Sequence, residues 1–279
     1  MDKIEALIGP TWGDSFQGAF PLIRENKIVA MLPSASIEAI EFNKQPLNFL
    51  FSTWFPQRAE VETLQKYAVA HGFKTFVVTN DADPFDAMMA ALFRAEAKDN
   101  GITILDEHQV VIGTQDFRTI LARIKAKSPD AFFVAVQDTS SKATFLKQAR
   151  EIGITSQLFS SADIQNPSLL QGFSSALEGV IYTYPSAGKN SEMFFAKYRA
   201  RYGSEPQGSS ASNAYDAVNI LAAAMKKAGT EGEKLERALL ETSIPGVTYD
   251  TLKFSEKHQI AGGEFEIKTI KNGAFVKVP

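Results

Sequence analysis

A chain of 279 residues can bury a large core and divides more naturally between two domains than it packs into one. With 44% hydrophobic residues, 22% charged residues and a mean hydropathy of -0.12, it has the composition of an ordinary globular protein, and no apolar run approaches the length of a membrane span. The formal net charge of -3 and pI near 5.8 argue against nucleic acid as a partner, and the lack of cysteine removes disulfides, thiolate metal sites and cysteine nucleophiles together.

The first residues, "MDKIEALIGP", show neither the charged start, the long apolar stretch nor the small-residue cleavage site of a secretory signal. Strand candidates follow at 4–8, 28–32, 48–53, 73–79, 102–105, 130–136, 157–161 and 179–184. Between most of them lie segments of helical period at 59–72, 84–101, 116–128 and 140–153. This alternation predicts α/β architecture with parallel sheets and right-handed crossovers, and the continuous apolar strands predict sheets covered on both faces. Gly72, Gly101 and Gly153 stand just past helical stretches, where a left-handed cap is needed. In the last third, helices near 190–202, 209–228 and 231–243 precede hairpin-like strands in "VTYDTLKF", "GGEFEIKTI" and "AFVKV".

Catalysis finds little support. His71, His108 and His258 are scattered and read as surface residues, and no phosphate-binding, dinucleotide-binding or nucleophile-elbow motif occurs. Asp81 and Asp83 read as solvated acids of a polar turn. No cofactor or metal is expected.

The ordered pieces "ALIGPTWGDS", "IVAMLPSAS", "FKTFVVTNDADPF", "KSPDAFFVAV", "FLKQAREIGI", "ALEGVIYTYP" and "AYDAVNILAAAM" resemble the type I solute-binding proteins of ABC importers. Among these, the chain is most similar to the leucine/isoleucine/valine-binding family of periplasmic receptors. The resemblance runs through essentially the whole chain and implies two doubly wound α/β lobes joined by three crossing strands, with the ligand enclosed by hinge closure of the cleft. The crossings would be 49–53, 181–185 and 245–254. Lobe one would hold 1–53 and 186–246, and lobe two 54–185 and 247–279. The stretch "IEALIGPTWGDS" resembles the third βα unit of lobe one, so two units and a signal peptide are expected upstream, and the missing first strand would lie beside 4–8. The alternative is a small variant that covers this edge by dimerising.

Open α/β sheets bind ligands beyond the carboxyl ends of their strands. In lobe one, the resemblance places Trp12, Gly13 and Asp14 in the first such loop and Ser34, Ala35 and Ser36 in the second, where hydroxyls such as that of Ser36 and backbone N–H groups would hold a carboxylate and the Ser34 backbone carbonyl would help hold an ammonium. Ser15 offers a further hydroxyl. Helix capping by Asp14 or Ser15 is the alternative role. In lobe two, Phe85 is the aromatic candidate, and Asp138 and Thr139 stand where branched-chain receptors show aromatic residues. The acid that meets a ligand ammonium aligns with Ala162, one place before Asp163. Either Asp163 serves, or Asp138 does, or the ligand has no α-ammonium. Capping and turn roles are open for both acids. Trp12, Trp54, Phe55 and Tyr184 suggest an aromatic cleft.

The reading implied is a non-enzymatic, periplasmic or membrane-anchored extracellular receptor. It would deliver an amino acid, branched-chain ones included, or a relative to an ABC permease, as a monomer when full length. A sensor or regulator domain of the same fold is the alternative.

Overall fold

The computed structural model describes residues 4–9, 14–206 and 209–279. The chain falls into two compact units, Met1–Pro56 with Ser186–Glu264, and Gln57–Pro185 with Phe265–Pro279. It therefore passes from one unit to the other after Pro56, Pro185 and Glu264.

Unit 1 opens with β1 (Ala6–Ile8), α1 (Phe20–Glu25), β2 (Val29–Leu32), α2 (Ile37–Phe42) and β3 (Leu50–Ser52). Unit 2 follows with α3 (Gln57–Ala70), β4 (Thr75–Asp81), α4 (Pro84–Ala97), β5 (Thr103–Val110) and α5 (Arg118–Lys127). It continues through β6 (Ala131–Ala135), α6 (Thr139–Glu151), β7 (Gln157–Ser160), α7 (Pro167–Leu177) and β8 (Ile181–Pro185). The chain returns to unit 1 for α8 (Ser191–Tyr202), α9 (Ser210–Ala228), α10 (Gly232–Glu241) and the β9 (Ser243–Pro245) to β10 (Thr251–Lys253) hairpin. It ends in unit 2 with β11 (Phe265–Lys271) and β12 (Ala274–Lys277).

Unit 1 has a parallel sheet in the order β1-β2-β3, with α9 packed on β1 and β2. All four residues of β2 are buried, as a strand covered on both faces requires. β1 is the sheet's edge, and its Ile8 is 42% exposed. Residues 247–264, which the sequence reading put in lobe two, pack in unit 1. The reason is local. Residues 245–254, read as a crossing, fold into the β9–β10 hairpin, and bridges from Ser52 to Gln259 and from Phe254 to Ile260 keep the following segment beside β3.

Unit 2 is built on a seven-stranded sheet, β12-β11-β8-β7-β6-β4-β5, parallel from β8 to β5 and antiparallel at β11 and β12. Its parallel part is the doubly wound order with β4 as the first strand, so the direction of winding reverses between β4 and β6. β6 is buried along its whole length, and Phe133 stacks on Phe93 of α4 with ring centroids 4.6 Å apart. Each such buried phenylalanine contributes roughly 2–3 kcal/mol of transfer free energy. Gly101 and Gly153 take positive φ just beyond α4 and α6, which lets the backbone turn directly into the next strand. β5 runs further than the expected 102–105, because it is an edge strand of polar alternation with a bulge at Leu105 opposite Phe76 and Val77.

Candidate functional site

In unit 2 the strand ends at the winding reversal bring together segments distant in sequence. After β4 the chain turns through Asp83, whose carboxylate caps α4 by accepting the Phe85 N–H at 2.8 Å. Pro84 suits the first helical turn, where no N–H is needed. One turn on, Asp86 is fully buried, and its Oδ2 accepts the Gln137 N–H at 2.6 Å, tying the β4 and β6 ends together. Asp138 caps α6 by accepting the Ser141 N–H at 2.7 Å, which places Lys142 in the first turn with its side chain buried. The Lys142 ammonium donates to Asp163, on the short 3-10 turn Ala162–Ile164 that follows β7. Ser161 Oγ donates to the other oxygen of Asp163. Beneath this turn, Glu60 of α3 accepts the Ala162 N–H at 2.6 Å and the Thr183 hydroxyl at 3.3 Å.

The electrostatics are unbalanced. Asp81 and Asp86 are buried, and Asp86 feels the charges of Asp163, Asp81 and the Lys142 ammonium, two acids against one cation. Asp86 is pushed up to about 9, first by burial and then by the charges of Asp163 and Asp81, with Lys142 opposing. Asp86 is therefore a neutral acid at pH 7. Among the described residues no His/Cys/Asp/Glu group is arranged to hold a metal ion.

Phe85 is half-buried at the start of α4, and Asp138 and Thr139 are exposed at the start of α6. Asp163 lies with Lys142 and Ser161, its side chain 22% exposed. In unit 1, Ser34 is half-buried in the bend after β2. The buried Ala35 accepts the Ser52 hydroxyl through its carbonyl at 2.7 Å. Ser36 caps α2, its Oγ accepting the Ala39 N–H at 3.1 Å. Trp12 and Gly13 lie outside the described residues. Asp14 and Ser15 begin the 3-10 helix Asp14–Ala19, and their side chains lie outside the description. Of the further aromatics, Trp54 stacks on Phe55 in unit 1 at 4.2 Å, and Tyr184 in unit 2 lies under the Lys268 ammonium at 5.0 Å.

Three readings need correction, the first being His108, whose side chain is 10% exposed on β5 and not on the surface. Asp81 is not a solvated turn acid: it is 2% exposed, and its Oδ1 accepts the Asp83 N–H at 2.9 Å. His258 is not a surface residue either. Its ring stacks on Phe51 at 4.2 Å, and its Nδ1 lies 3.0 Å from the Leu50 carbonyl. Sequence reasoning passed over Asp86, Lys142 and Glu60. The available signal was a charged residue interrupting the apolar period of each helix.

The Periplasmic binding protein family profile matches residues 1–274, and the chain belongs to that family. It is 23% identical over 272 residues to the leucine-, isoleucine-, valine-, threonine- and alanine-binding protein of Pseudomonas aeruginosa, covering 95% of this chain and 71% of the relative. Against the Leu/Ile/Val-binding protein BraC3 of Rhizobium johnstonii it is 23% identical, covering 89% and 69%. Among solved structures it is similar to a leucine-binding protein LivK from Thermotoga maritima, with a TM-score of 0.84, 21% identity and coverage of 98% and 79%. It is also similar to a solute-binding protein of an ABC transporter from R. palustris, solved with benzoate, with a TM-score of 0.81, 19% identity and coverage of 98% and 76%.

Proposed function

We propose that this chain is the extracytoplasmic solute-binding component of an ABC importer, taking an amino acid or a close relative and handing it unchanged to a membrane permease. The observation that carries the reading is Asp163. Both its oxygens are fixed by donors from the protein, Lys142 and Ser161, yet its side chain keeps 22% of its surface open at the carboxyl edge of the sheet. A carboxylate held this way is preorganised for an ammonium, which loses its hydration on binding and needs an anionic partner. Asp138 is the weaker candidate, because its carboxylate caps α6 at an exposed position.

The two sequence relatives compared support the same class of solute, since they are named for leucine, isoleucine and valine and, in one case, threonine and alanine, while the benzoate-bound neighbour keeps the aromatic acids on the panel. Family membership supports binding without turnover and a periplasmic location. Among the described residues no helix is long and apolar enough to cross a membrane. The test is a thermal melt with a panel of amino acids, their deaminated counterparts and aromatic acids. A solute at a hundred times its dissociation constant adds roughly 2.7 kcal/mol to stability. A raised melting temperature with one amino-acid class, lost in Asp163→Asn, is the expected outcome. A melt indifferent to the whole panel, or turnover of a solute, contradicts the reading.

A further inference from the structure

Asp86 carries the inference. It is fully buried, its Oδ2 accepts the Gln137 N–H at 2.6 Å, and its Oδ1 has no donor within reach. Asp81, a second buried carboxyl group, adds its charge beside it. A buried carboxylate with one oxygen that receives no donor and a like charge close by is costly, and a proton on the carboxyl relieves both. The charged groups facing Asp86 from the surrounding elements are Asp81 at the end of β4, Lys142 on α6 and Asp163 on the turn after β7. Lys142 already has Asp163 as its ion-pair partner. The proton on Asp86 thus stands in for a cation that these elements do not supply.

Asp163 links this buried pair to solvent, being the partly exposed member of the group. We propose that the proton on Asp86 is exchanged for the positive charge of the solute: a cationic group seated at Asp163 drives Asp86 to ionise, and unit 2 thereby selects an ammonium over a neutral isostere. This inference rests on the function proposed above. The step balances simply. The Asp86 carboxyl loses a proton to solvent, the solute's ammonium arrives with its charge, and no bond within the solute changes.

The sign of the pH dependence follows. Below the Asp86 value the free protein is protonated, and each binding event must expel that proton. Affinity for an ammonium-bearing solute therefore rises between pH 6 and 8, by roughly tenfold per pH unit at most, and levels off near 9. A deaminated isostere shows no such rise.

The experiment is calorimetric titration of the whole chain with L-leucine and with 4-methylpentanoate, its deaminated counterpart, in buffers of different ionisation enthalpy at pH 7. Release of up to one proton per bound leucine, with weaker binding and no release for 4-methylpentanoate, is the expected result. Leucine binding without proton release, or equal binding of the two, overturns the exchange while leaving the solute-binding function intact. Failure of both to bind, together with the rest of the amino-acid panel, overturns the function and the exchange with it. Infrared spectroscopy at pH 7 supplies a readout that needs no solute: the carbonyl stretch of a protonated carboxyl, present in the wild type and missing in Asp86→Asn. Its absence from the wild type overturns the proposal. The variant itself should bind leucine more weakly and without pH dependence, since an amide cannot ionise.

Discussion

Lys142 and Asp163 form an ion pair of unequal exposure, 2% for the lysine side chain and 22% for the aspartate. The asymmetry decides which half is more costly to lose. Removing the carboxylate strands a buried ammonium, a loss of about 3–5 kcal/mol for a broken buried pair, whereas removing the ammonium leaves an acid that water can still reach. Asp163→Asn is thus expected to destabilise the chain by about 3 kcal/mol in urea melts, and Lys142→Met by less. Equal effects, or none from Asp163→Asn, would show that the pair is not buried as described.

Asp86 makes stability depend on pH. Its value rises from 3.8 to about 9 on folding, so between those limits the native state holds one proton more than the unfolded chain. The stabilisation is complete below the unfolded value and is lost as pH rises through the folded one. The slope is at most about 1.4 kcal/mol per pH unit. Denaturation at pH 5, 7 and 9 should show the wild type losing stability relative to Asp86→Asn, and parallel profiles would count against a neutral Asp86.

Gly246 allows the β9–β10 hairpin to close. A Cβ there would stand 2.6 Å from Leu252 side-chain carbons and 2.7 Å from the Tyr249 carbonyl oxygen. Next to it, the Val247 and Thr248 N–H groups donate to the buried Asp216 carboxylate at 2.9 and 2.8 Å, so the turn has little freedom to shift. Gly246→Ala is expected to cost about 1–3 kcal/mol, the usual range for overpacking, measured by chemical denaturation. A neutral result would mean that the hairpin is looser than drawn.

The edge of unit 1 offers a solubility test. Ile8 is 42% exposed on β1, and Ile4 just before it is 61% exposed. An apolar edge strand whose outer side no described strand pairs with invites pairing with another chain, and a lysine there opposes it. Sedimentation velocity across a concentration series should show less self-association for Ile8→Lys than for the wild type. Unchanged association would place the contact elsewhere.

Much of the fold was legible because buried parallel strands leave continuous apolar runs, as in β2 and β6, and because glycines such as Gly101 and Gly153 mark helix ends. β5 was read short because "DEHQ" carries no strand signal of its own; pairing with β4 keeps it extended. α7 was not called a helix, since its apolar residues follow a capping Asn166 and Pro167 in a stretch that reads equally as a loop. The polar group of unit 2 was hidden for a different reason. Lys142 meets Asp163 across 21 residues, and Asp86 meets the Gln137 N–H across 51, contacts that no local pattern records. A buried charge at a strand end also looks the same in sequence as a solvated one, so Asp81 was taken for a solvated turn acid.

Equilibrium titration of the whole chain with leucine, isoleucine, valine, threonine and alanine at pH 7 tests the central claim most directly. Saturable binding of one solute per chain, weakened by Asp163→Asn and not by an exposed change such as Glu178→Gln, is the predicted result. No binding by any of them, or binding that Asp163→Asn leaves untouched, would contradict the account.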